Sequence, residues 1–398
     1  MREYLLVFLV ALAVTYLTTV LAREVALRYG AVAAVRDRDV HAEPIPYFGG
    51  VAILLGMGAA FLVSRELPFL SGAGTQVFHD AGIVLVAGAL VCALGVVDDL
   101  IELDALTKLG GQVLAAGFMV LNGVQLYSLG LTEGGVLVLN PAQGALATIF
   151  VVVLTINAVN FVDGLDGLAG GVVGLGALAF FFFSYTVAAE NGDSLAIPTA
   201  LLCSLLCGSC AGFLAHNFNP ARIFMGDSGS MLIGIVLAGS ALSLTSGFPA
   251  LDIENAAWSR SGVLVVLMPV LLPVAILLVP FADLMLAVVR RTLRGQSPFA
   301  PDKQHLHHRL LEYGHSHRRA VVVIWLWAAL IALGGVALSL YPGPLVAAGL
   351  LGWLAITVLL TIVVPRVERP AWTHHEDYAG PPPRPGPYLR DESGDHAV

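Results

Sequence analysis

The segment NAVNFVDGLDG (157–167) places two amides and two carboxylates at the end of an apolar run. Asn157, Asn160 and Asp163 are spaced three residues apart, so a helix would present all three on one face. Asp166 comes two residues after Gly164, where we expect the helix to give way to a tight turn. Carboxylates in membrane helices are costly and usually functional. A polar turn that only reverses the chain is the alternative, but it would not need the asparagine face.

Asp98 and Asp99 form a second acidic group within VVDDLIELD (96–104). Adjacent carboxylates repel each other unless a cation or a phosphate-bound metal relieves them. A small number of oxygen ligands suits Mg²⁺ or Mn²⁺, which keep water and share substrate phosphates. The alternative is a solvated acidic helix end.

Asp227 lies in MGDSGS (225–230), directly before another apolar run. The small residues around it would let backbone approach a phosphate, with the amides of 228–230 at a helix N-terminus. Capping of this helix by Asp227 is the alternative. The preceding segment adds amide, imidazole and guanidinium donors suited to a phosphate or nucleotide, namely His216, Asn217, Asn219 and Arg222.

The segment HLHHRL (305–310) contains a cluster of histidines. On a helix, His305 and His308 share a face and Arg309 lies beside His305. No cysteine or coordinating pattern accompanies them, which disfavours zinc. Donors to a diphosphate or a uracil-ribose moiety fit better, and a basic amphipathic segment on anionic lipid is the alternative.

The segment RDRDVHAEPIP (36–46) carries further basic groups. Arg36, Arg38 and His41 would meet a lipid phosphate at the bilayer surface, while a simple positive-inside anchor explains the arginines equally well.

The composition is that of a polytopic membrane protein. The chain has 398 residues, of which 57% are hydrophobic and 12% charged, with a mean hydropathy of +0.84. Soluble domains carry about 25% charged residues. The four cysteines lie in apolar runs, where packing explains them better than metal or disulfide chemistry.

Hydropathy predicts an all-α protein with eleven transmembrane helices. The predicted spans cover 4–22, 49–64, 81–97, 108–124, 144–162, 165–187, 195–215, 228–246, 262–282, 319–340 and 344–364. With the N-terminus outside and the C-terminus cytoplasmic, only Arg2, Arg65 and Arg260 of the twenty Lys and Arg residues lie outside. This distribution obeys the positive-inside rule.

The same topology places all five polar motifs on the cytoplasmic side, which predicts one active site facing the cytoplasm. We therefore expect a single membrane-embedded domain over 1–364. The proline-rich segment 365–398 has no hydrophobic periodicity and is predicted to be a disordered cytoplasmic tail.

Four motifs, in this order, resemble those of the polyprenyl-phosphate N-acetylhexosamine-1-phosphate transferases. They are VVDDL, NAVNFVDGLDGLAGG, FNPARIFMGDSGS and PDKQHLHHRLLEYGHSHRRAV. The resemblance runs from about residue 36 to 320 and is to the WecA/TagO-type branch, because HLHHRL replaces the three successive histidines of the MraY translocases. One departure is Asp39 after Arg38, where the family often has a basic pair.

The resemblance implies transfer of N-acetylglucosamine 1-phosphate from UDP-GlcNAc to undecaprenyl or decaprenyl phosphate with Mg²⁺, releasing UMP. It would be the first membrane step of cell-envelope glycopolymer synthesis, in a bacterial plasma membrane. It assigns Asp98, Asp99, Asp163 and Asp166 to catalysis, and Asp227 to the metal with Asp99 and Asp163. Substrate-binding residues are then Asn157, Asn160, Asn217, Asn219, Arg222, His305, His307, His308, Arg309 and His41.

The expected partners are a UDP-N-acetylhexosamine, the polyprenyl phosphate and the bilayer, with no nucleic acid; a homodimer stays open. Either the lipid phosphate attacks the sugar nucleotide directly, which we favour, or Asp98 or Asp99 first forms a covalent intermediate. The alternatives are the MraY reaction with a UDP-muramoyl-peptide and a secondary transporter of an anionic solute. Transporters place charges near the bilayer midplane and often contain repeated halves, neither of which is found here.

Overall fold

The computed structural model describes residues 1–30, 32, 45–130, 136–191, 196–246, 292 and 315–363. Several predictions fall outside these residues: the ninth span at 262–282, the tail, and the substrate-binding roles of His41, His305, His307, His308 and Arg309.

The described residues form helices at each of the other ten predicted spans. These helices are α1 (Arg2–Tyr29), α2 (Gly49–Ser64), α4 (Thr75–Ile101), α5 (Ala105–Leu121), α6 (Pro141–Val162), α7 (Leu168–Asn191), α8 (Ile197–Asn217), α9 (Gly226–Ser246), α10 (His317–Leu340) and α11 (Pro344–Ile362). A short helix α3 (Pro68–Gly72) precedes α4, and strands β1 (Ser128–Gly130) and β2 (Val136–Val138) form an antiparallel pair before α6. Among the described residues, eight helices are long and apolar enough to cross a membrane, while α2 and α5 are shorter apolar helices. The prediction of an all-α polytopic membrane protein is confirmed.

Polar residues outside the apolar cores fix several helix ends. α5 begins three residues before the predicted span, because the Asp104 carboxylate accepts hydrogen bonds from the amides of Leu106 and Thr107, each at 3.0 Å. α6 begins at Pro141 behind a capping box formed by Asn140 and Gln143. Hydropathy thus locates each apolar core, whereas capping residues decide where the helix begins.

The first helix is longer than its apolar core. It continues to Tyr29 and ends at Gly30, whose φ of 69° is readily adopted by glycine. At 1.5 Å per residue its 28 residues span about 42 Å, more than the roughly 30 Å of bilayer hydrocarbon. The extension brings Arg23 to the loop before α9, where its Nε donates to the carbonyl of Arg222 at 3.2 Å.

The two helices α8 and α9 form the centre of the described bundle. In the most apolar stretch of each helix, 89% of α8 and 94% of α9 is buried inside the protein, against 6% of α11. α8 packs against α1 and α7, and α9 packs against α4 and α6, while α2 contacts both central helices. α10 packs on α7 and α11 on α10. The site described below lies at one end of α9, so its frame is the most buried part of the bundle.

Small residues allow these close helix contacts. A Cβ at Gly208 or Gly212 of α8 would lie 2.3 Å from a backbone carbonyl oxygen of α1. The three cysteines of α8 are buried and unpaired, as expected for packing residues.

Candidate active site

Three of the predicted polar motifs meet where four helix ends come together. The C-terminal end of α4 carries Asp98 and Asp99, and α6 ends at Asp163. The N-terminus of α5 contributes Lys108, and that of α9 contributes Asp227. Helices that alternate in direction through the bundle bring these ends to the same side. Residues from distant parts of the chain thereby form one acidic cluster.

Lys108 lies at the centre of this cluster. Its ammonium Nζ is 2.5 Å from Asp98 Oδ2 and 2.9 Å from Asp227 Oδ2. Asp98 is only 5% exposed, and its Oδ1 accepts a hydrogen bond from the amide of Leu103 at 2.7 Å. One ammonium therefore joins two carboxylates that would otherwise repel each other.

Asn160 holds the other side of Asp227. Its amide Nδ2 donates to Asp227 Oδ1 at 2.7 Å and to Ser230 Oγ at 2.9 Å. With Lys108 on Oδ2, both oxygens of Asp227 are oriented by neighbouring helices. The Asp227 side chain nevertheless remains 29% exposed, so it is accessible at the surface of the cluster.

Asp99 faces the backbone of α9. Its Oδ1 accepts from the amide of Asp227 at 2.8 Å, and its Oδ2 accepts from the amide of Ser228 at 3.3 Å. The cap of α9 is thus supplied by α4 and not by Asp227, the alternative considered from sequence. One of the backbone amides predicted to face a phosphate, that of Ser228, is consequently bound to Asp99.

Asp163 is the residue that follows α6, and its backbone amide donates to the carbonyl of Asn160 at 3.2 Å. Removal of its carboxyl from water, followed by the negative charges of Asp227, Asp99 and Asp166, raises its pKa to about 7. At neutral pH the group is therefore divided between its protonated and ionised forms.

Asp166 and Asn219 connect the α6–α7 turn to the loop before α9. Asp166 is 6% exposed, and its Oδ2 accepts from Asn219 Nδ2 at 2.9 Å and from the amide of Ala221 at 3.0 Å. These contacts fix Asp166 beneath the loop. The side-chain amide of Asn219 is therefore bound to another residue of the protein.

Asn217 makes a second connection between the same segments. Its Oδ1 accepts from the amide of Gly167 at 2.9 Å, and its Nδ2 donates to the carbonyl of Ile223 at 3.0 Å. Gly167 has a φ of 78°, a conformation that favours glycine. Asn217 is 3% exposed, so the structure places it inside the protein.

Arg222 lies on the outer surface of the loop before α9. Its amide donates to the carbonyl of His216 at 2.9 Å, and its side chain is exposed. Arg318 at the start of α10 donates from Nε to the carbonyl of Asn219 at 2.7 Å. Arg318 and Arg23 thus both donate to backbone carbonyls of this loop, outside the acidic cluster.

Asn157 pairs with α5, about one and a half helical turns before the end of α6. Its Nδ2 donates to Gln112 Oε1 at 2.6 Å and to the carbonyl of Val153 at 2.8 Å. Gln112 is buried and its Nε2 lies 3.5 Å from Met231 Sδ. Asn157 thus belongs to a separate amide pair beside the acidic cluster.

Comparison with known proteins decides the family of this chain. The model of glycosyl transferase family 4 matches residues 81–245. A Mycolicibacterium smegmatis protein named decaprenyl-phosphate N-acetylglucosaminephosphotransferase is 45% identical over 93% of this chain and 90% of its own. The chain belongs to glycosyl transferase family 4. The resemblance predicted from the motifs is confirmed.

Two more distant family members agree. A Bacillus subtilis protein named probable undecaprenyl-phosphate N-acetylglucosaminyl 1-phosphate transferase is 32% identical over 85% of this chain and 86% of its own. A Yersinia pestis protein named undecaprenyl-phosphate alpha-N-acetylglucosaminyl 1-phosphate transferase is 31% identical over 84% and 83%. The family 4 match at 81–245 contains the whole acidic cluster.

The donors of this family 4 site fit a cation that also binds substrate. Within the described residues, no three His, Cys, Asp or Glu side chains converge to hold an ion by themselves. Mg²⁺ usually needs only one or two protein carboxylates, with water and substrate phosphates as its other ligands. Asp227 supplies a partly exposed carboxylate with Asp163 as its acidic neighbour, and its oxygens contact the side chains of Lys108 and Asn160. The oxygens of Asp99 accept backbone amides instead.

Two site residues, Lys108 and Gln112, were not predicted from the sequence. Lys108 is one of two lysines in the chain and lies in the first turn of an apolar helix, shortly after the Asp98–Asp99 pair. The sequence signal that could have identified Lys108 is a lysine in an apolar helix shortly after two adjacent carboxylates. Gln112 is one turn further along the same helix, and only its contact with Asn157 identifies it.

Proposed function

We propose that this protein transfers N-acetylglucosamine 1-phosphate from UDP-GlcNAc to a decaprenyl or undecaprenyl phosphate, releasing UMP. The observation that carries the proposal is the acidic cluster around Lys108 in a chain related over most of its length to enzymes named for this transfer. A glycosyl-1-phosphate transferase needs a membrane fold because one of its substrates is a lipid.

The charge of the cluster supports a requirement for a divalent cation. The carboxylates of Asp98, Asp99, Asp163 and Asp227 lie close together, and the Lys108 ammonium contacts two of them, Asp98 and Asp227. Two phosphorylated substrates cannot approach such a site without additional positive charge. When bound, Mg²⁺ would be held by Asp227 with Asp163 and would neutralise charge on the sugar-nucleotide diphosphate.

Direct attack by the lipid phosphate does not require the protein to supply a strong general base. A phosphate monoester has a second pKa of about 6, so the lipid phosphate is largely dianionic at neutral pH. One of its oxygens forms a bond to the β-phosphorus of UDP-GlcNAc as the bond from that phosphorus to the bridging oxygen breaks. The electron pair of the broken bond leaves with UMP, and the lipid retains the diphospho-sugar.

The surroundings of Asp98 argue against a covalent intermediate on this residue. Its side chain is almost fully buried, and its two oxygens contact Lys108 and the amide of Leu103. A nucleophile must reach phosphorus in line with the leaving group, which such a carboxylate cannot do without losing both contacts. We therefore assign Asp98 to holding Lys108, and through it Asp227.

The membrane setting completes the proposal. Under the predicted topology, the helix ends that form the cluster lie on the cytoplasmic side, where sugar nucleotides are found. The histidine segment at 305–310 remains the predicted binding site for the nucleotide, and a groove between helices would hold the lipid tail.

The test is UMP release from UDP-GlcNAc by the purified protein in detergent, with and without undecaprenyl phosphate and Mg²⁺. We expect UMP and lipid-linked sugar only when all three are present, and loss of both products in Asp227→Asn. Glu3→Gln is a control at the other end of α1, about 30 Å away along the helix from Arg23. It should leave turnover unchanged.

Other outcomes would change the proposal in defined ways. Turnover with UDP-muramoyl-peptide but not UDP-GlcNAc would favour the MraY reaction. A folded protein that turns over no UDP-sugar, yet moves an anionic solute across liposomes, would favour the transporter.

A further inference from the structure

The Asp98–Asp99 pair divides into two side chains with different surroundings. Successive residues of an α-helix point about 100° apart, so neighbours in sequence face different partners. Asp98 faces Lys108 of α5, while Asp99 faces the N-terminus of α9. From sequence, Asp98 and Asp99 are equivalent carboxylates, whereas in the structure they have different partners.

Asp99 satisfies two backbone donors that α9 cannot satisfy itself. The first amides of a helix have no partner within it and need an acceptor from outside. Each Asp99 oxygen binds one of them, the amides of Asp227 and Ser228 at 2.8 and 3.3 Å. The negative charge is also favourable at the positive end of the helix dipole.

Two glycines make this contact between helices possible. Gly226 has a φ of 70°, and a Cβ on it would lie 2.4 Å from Asp99 Oδ2. One turn earlier on α4, a Cβ on Gly95 would lie 2.4 Å from the backbone nitrogen of Ser228. α4 therefore touches the first turn of α9 directly, and Asp99 lies where that turn begins.

The residue held most closely by this cap is Asp227. Its amide is bound by Asp99, while its carboxylate contacts Lys108 and Asn160. A shift of the first turn of α9 would move this carboxylate away from both partners. We propose that Asp99 is a positioning residue that fixes Asp227 by capping α9 from α4, and that it neither binds substrate nor reacts.

This inference rests on the proposed function, because it assigns a role within that site. It makes a specific prediction about side-chain chemistry. Asparagine at position 99 keeps an oxygen that accepts an amide, and asparagine is a good helix cap. Alanine keeps none. A reacting or metal-binding carboxylate would be lost equally in both variants.

The experiment compares Asp99→Asn, Asp99→Ala and Glu3→Ala by thermal unfolding in detergent and by UMP release over a range of Mg²⁺ concentrations. Glu3 is a matched control, because its two oxygens accept the successive amides of Phe69 and Leu70 at 2.8 and 2.9 Å, far from the site. The Tm of Glu3→Ala therefore measures how much stability is lost when a similar cap is removed elsewhere in the protein.

We expect Asp99→Ala to lower Tm by about 2–4 °C and kcat about 100-fold, the loss typical of a reactive group displaced by about 1 Å. The Mg²⁺ concentration for half-maximal activity should rise as well. Asp99→Asn keeps one accepting oxygen, so it should lower Tm less than Asp99→Ala and retain at least about a tenth of the wild-type kcat. Glu3→Ala should lower Tm similarly but leave kcat and the Mg²⁺ requirement unchanged.

The inference is overturned if Asp99→Asn is as inactive as Asp99→Ala, or if Asp99→Ala keeps wild-type Tm and activity. Failure of the proposed function gives a different result: the wild-type protein itself releases no UMP. The Tm values would then still measure the cap, and a Tm for Asp99→Ala equal to that of Asp99→Asn would overturn it.

Discussion

At the scale of single residues, the site depends on how a few charges are shared. Lys108 joins Asp98 and Asp227, and Asn160 orients Asp227. Burial, and then the neighbouring carboxylates, raise the pKa of Asp163 so that it is partly protonated. In a largely buried environment these contacts are stronger than in water, and losing one partner is costly. Two predictions follow from this arrangement.

Replacing Lys108 by methionine should abolish most activity. Methionine occupies similar volume but removes the charge, so Asp98 and Asp227 would face each other without a cation. We expect kcat to fall at least about 100-fold, corresponding to nearly 3 kcal/mol, in the UMP-release assay. Lys108→Arg, which restores a positive charge, should recover part of the loss. Wild-type activity in Lys108→Met would refute the central role of this ammonium.

The requirement for Mg²⁺ should depend on pH through Asp163. Because its pKa is raised to about 7, the group is mostly protonated at pH 6 and mostly ionised at pH 8. A metal ion must displace that proton, so affinity falls as pH decreases. We expect the Mg²⁺ concentration for half-maximal activity to rise roughly fivefold from pH 7 to pH 6 and to change little between pH 8 and pH 9. Residual activity of Asp163→Asn should lack this pH dependence.

At the scale of helices, the position of α9 decides the geometry of the site. The first turn of α9 contacts α4 at Gly95 and Asp99. It also packs closely on α2, where a Cβ on Gly50 would lie 2.3 Å from the Gly229 nitrogen. These are contacts with backbone, which cannot rotate away as a side chain can. The first turn of α9 therefore has little freedom to move.

Gly95→Ala should disturb this contact. Its added methyl group would meet the backbone of Ser228, and overpacking of this kind costs about 1–3 kcal/mol. We expect a lower Tm together with reduced kcat, because α9 carries Asp227. The matched control is Gly117→Ala in α5, where a Cβ would meet nothing within 4 Å. There, higher helix propensity should leave Tm unchanged or raise it. Equal effects of the two substitutions would contradict the argument.

At the scale of the whole molecule, alternating helices deliver distant motifs to one side of the bundle. The ends of α4 and α6 and the beginnings of α5 and α9 meet there, and Arg23 and Arg318 reach the same region from α1 and α10. The orientation of this side in the membrane is a prediction from the distribution of Lys and Arg.

Labelling of introduced cysteines tests that orientation. The four natural cysteines are buried, so their background reaction should be low. Tyr29→Cys at the end of α1 and Tyr341→Cys after α10 lie at exposed positions. In intact cells, a membrane-impermeant maleimide should label Tyr341→Cys and not Tyr29→Cys, with Tyr29→Cys labelled only after the membrane is opened. The reverse pattern would place the acidic cluster outside.

Much of this protein could be predicted from sequence because membrane helices obey a simple physical requirement. A run of apolar residues in hydrocarbon must satisfy its backbone hydrogen bonds internally, which forces a helix. The runs therefore predicted all ten of the longer apolar helices among the described residues, and the motifs alone indicated the family. Helix ends were less accurate, since capping groups such as Asp104 and Asn140 lie outside the apolar cores.

The division of labour among the polar residues was decided only by the tertiary structure. The contacts that define it join residues far apart in the chain: 119 positions separate Lys108 from Asp227, and 128 separate Asp99 from Asp227. Sequence placed Asp98 and Asp99 together as equivalent carboxylates, whereas their helix directs one to an ammonium and the other to the amides of α9. Composition and spacing thus determined which residues gather at one end of the helices, and the packing of α4, α5 and α9 determined what each contacts.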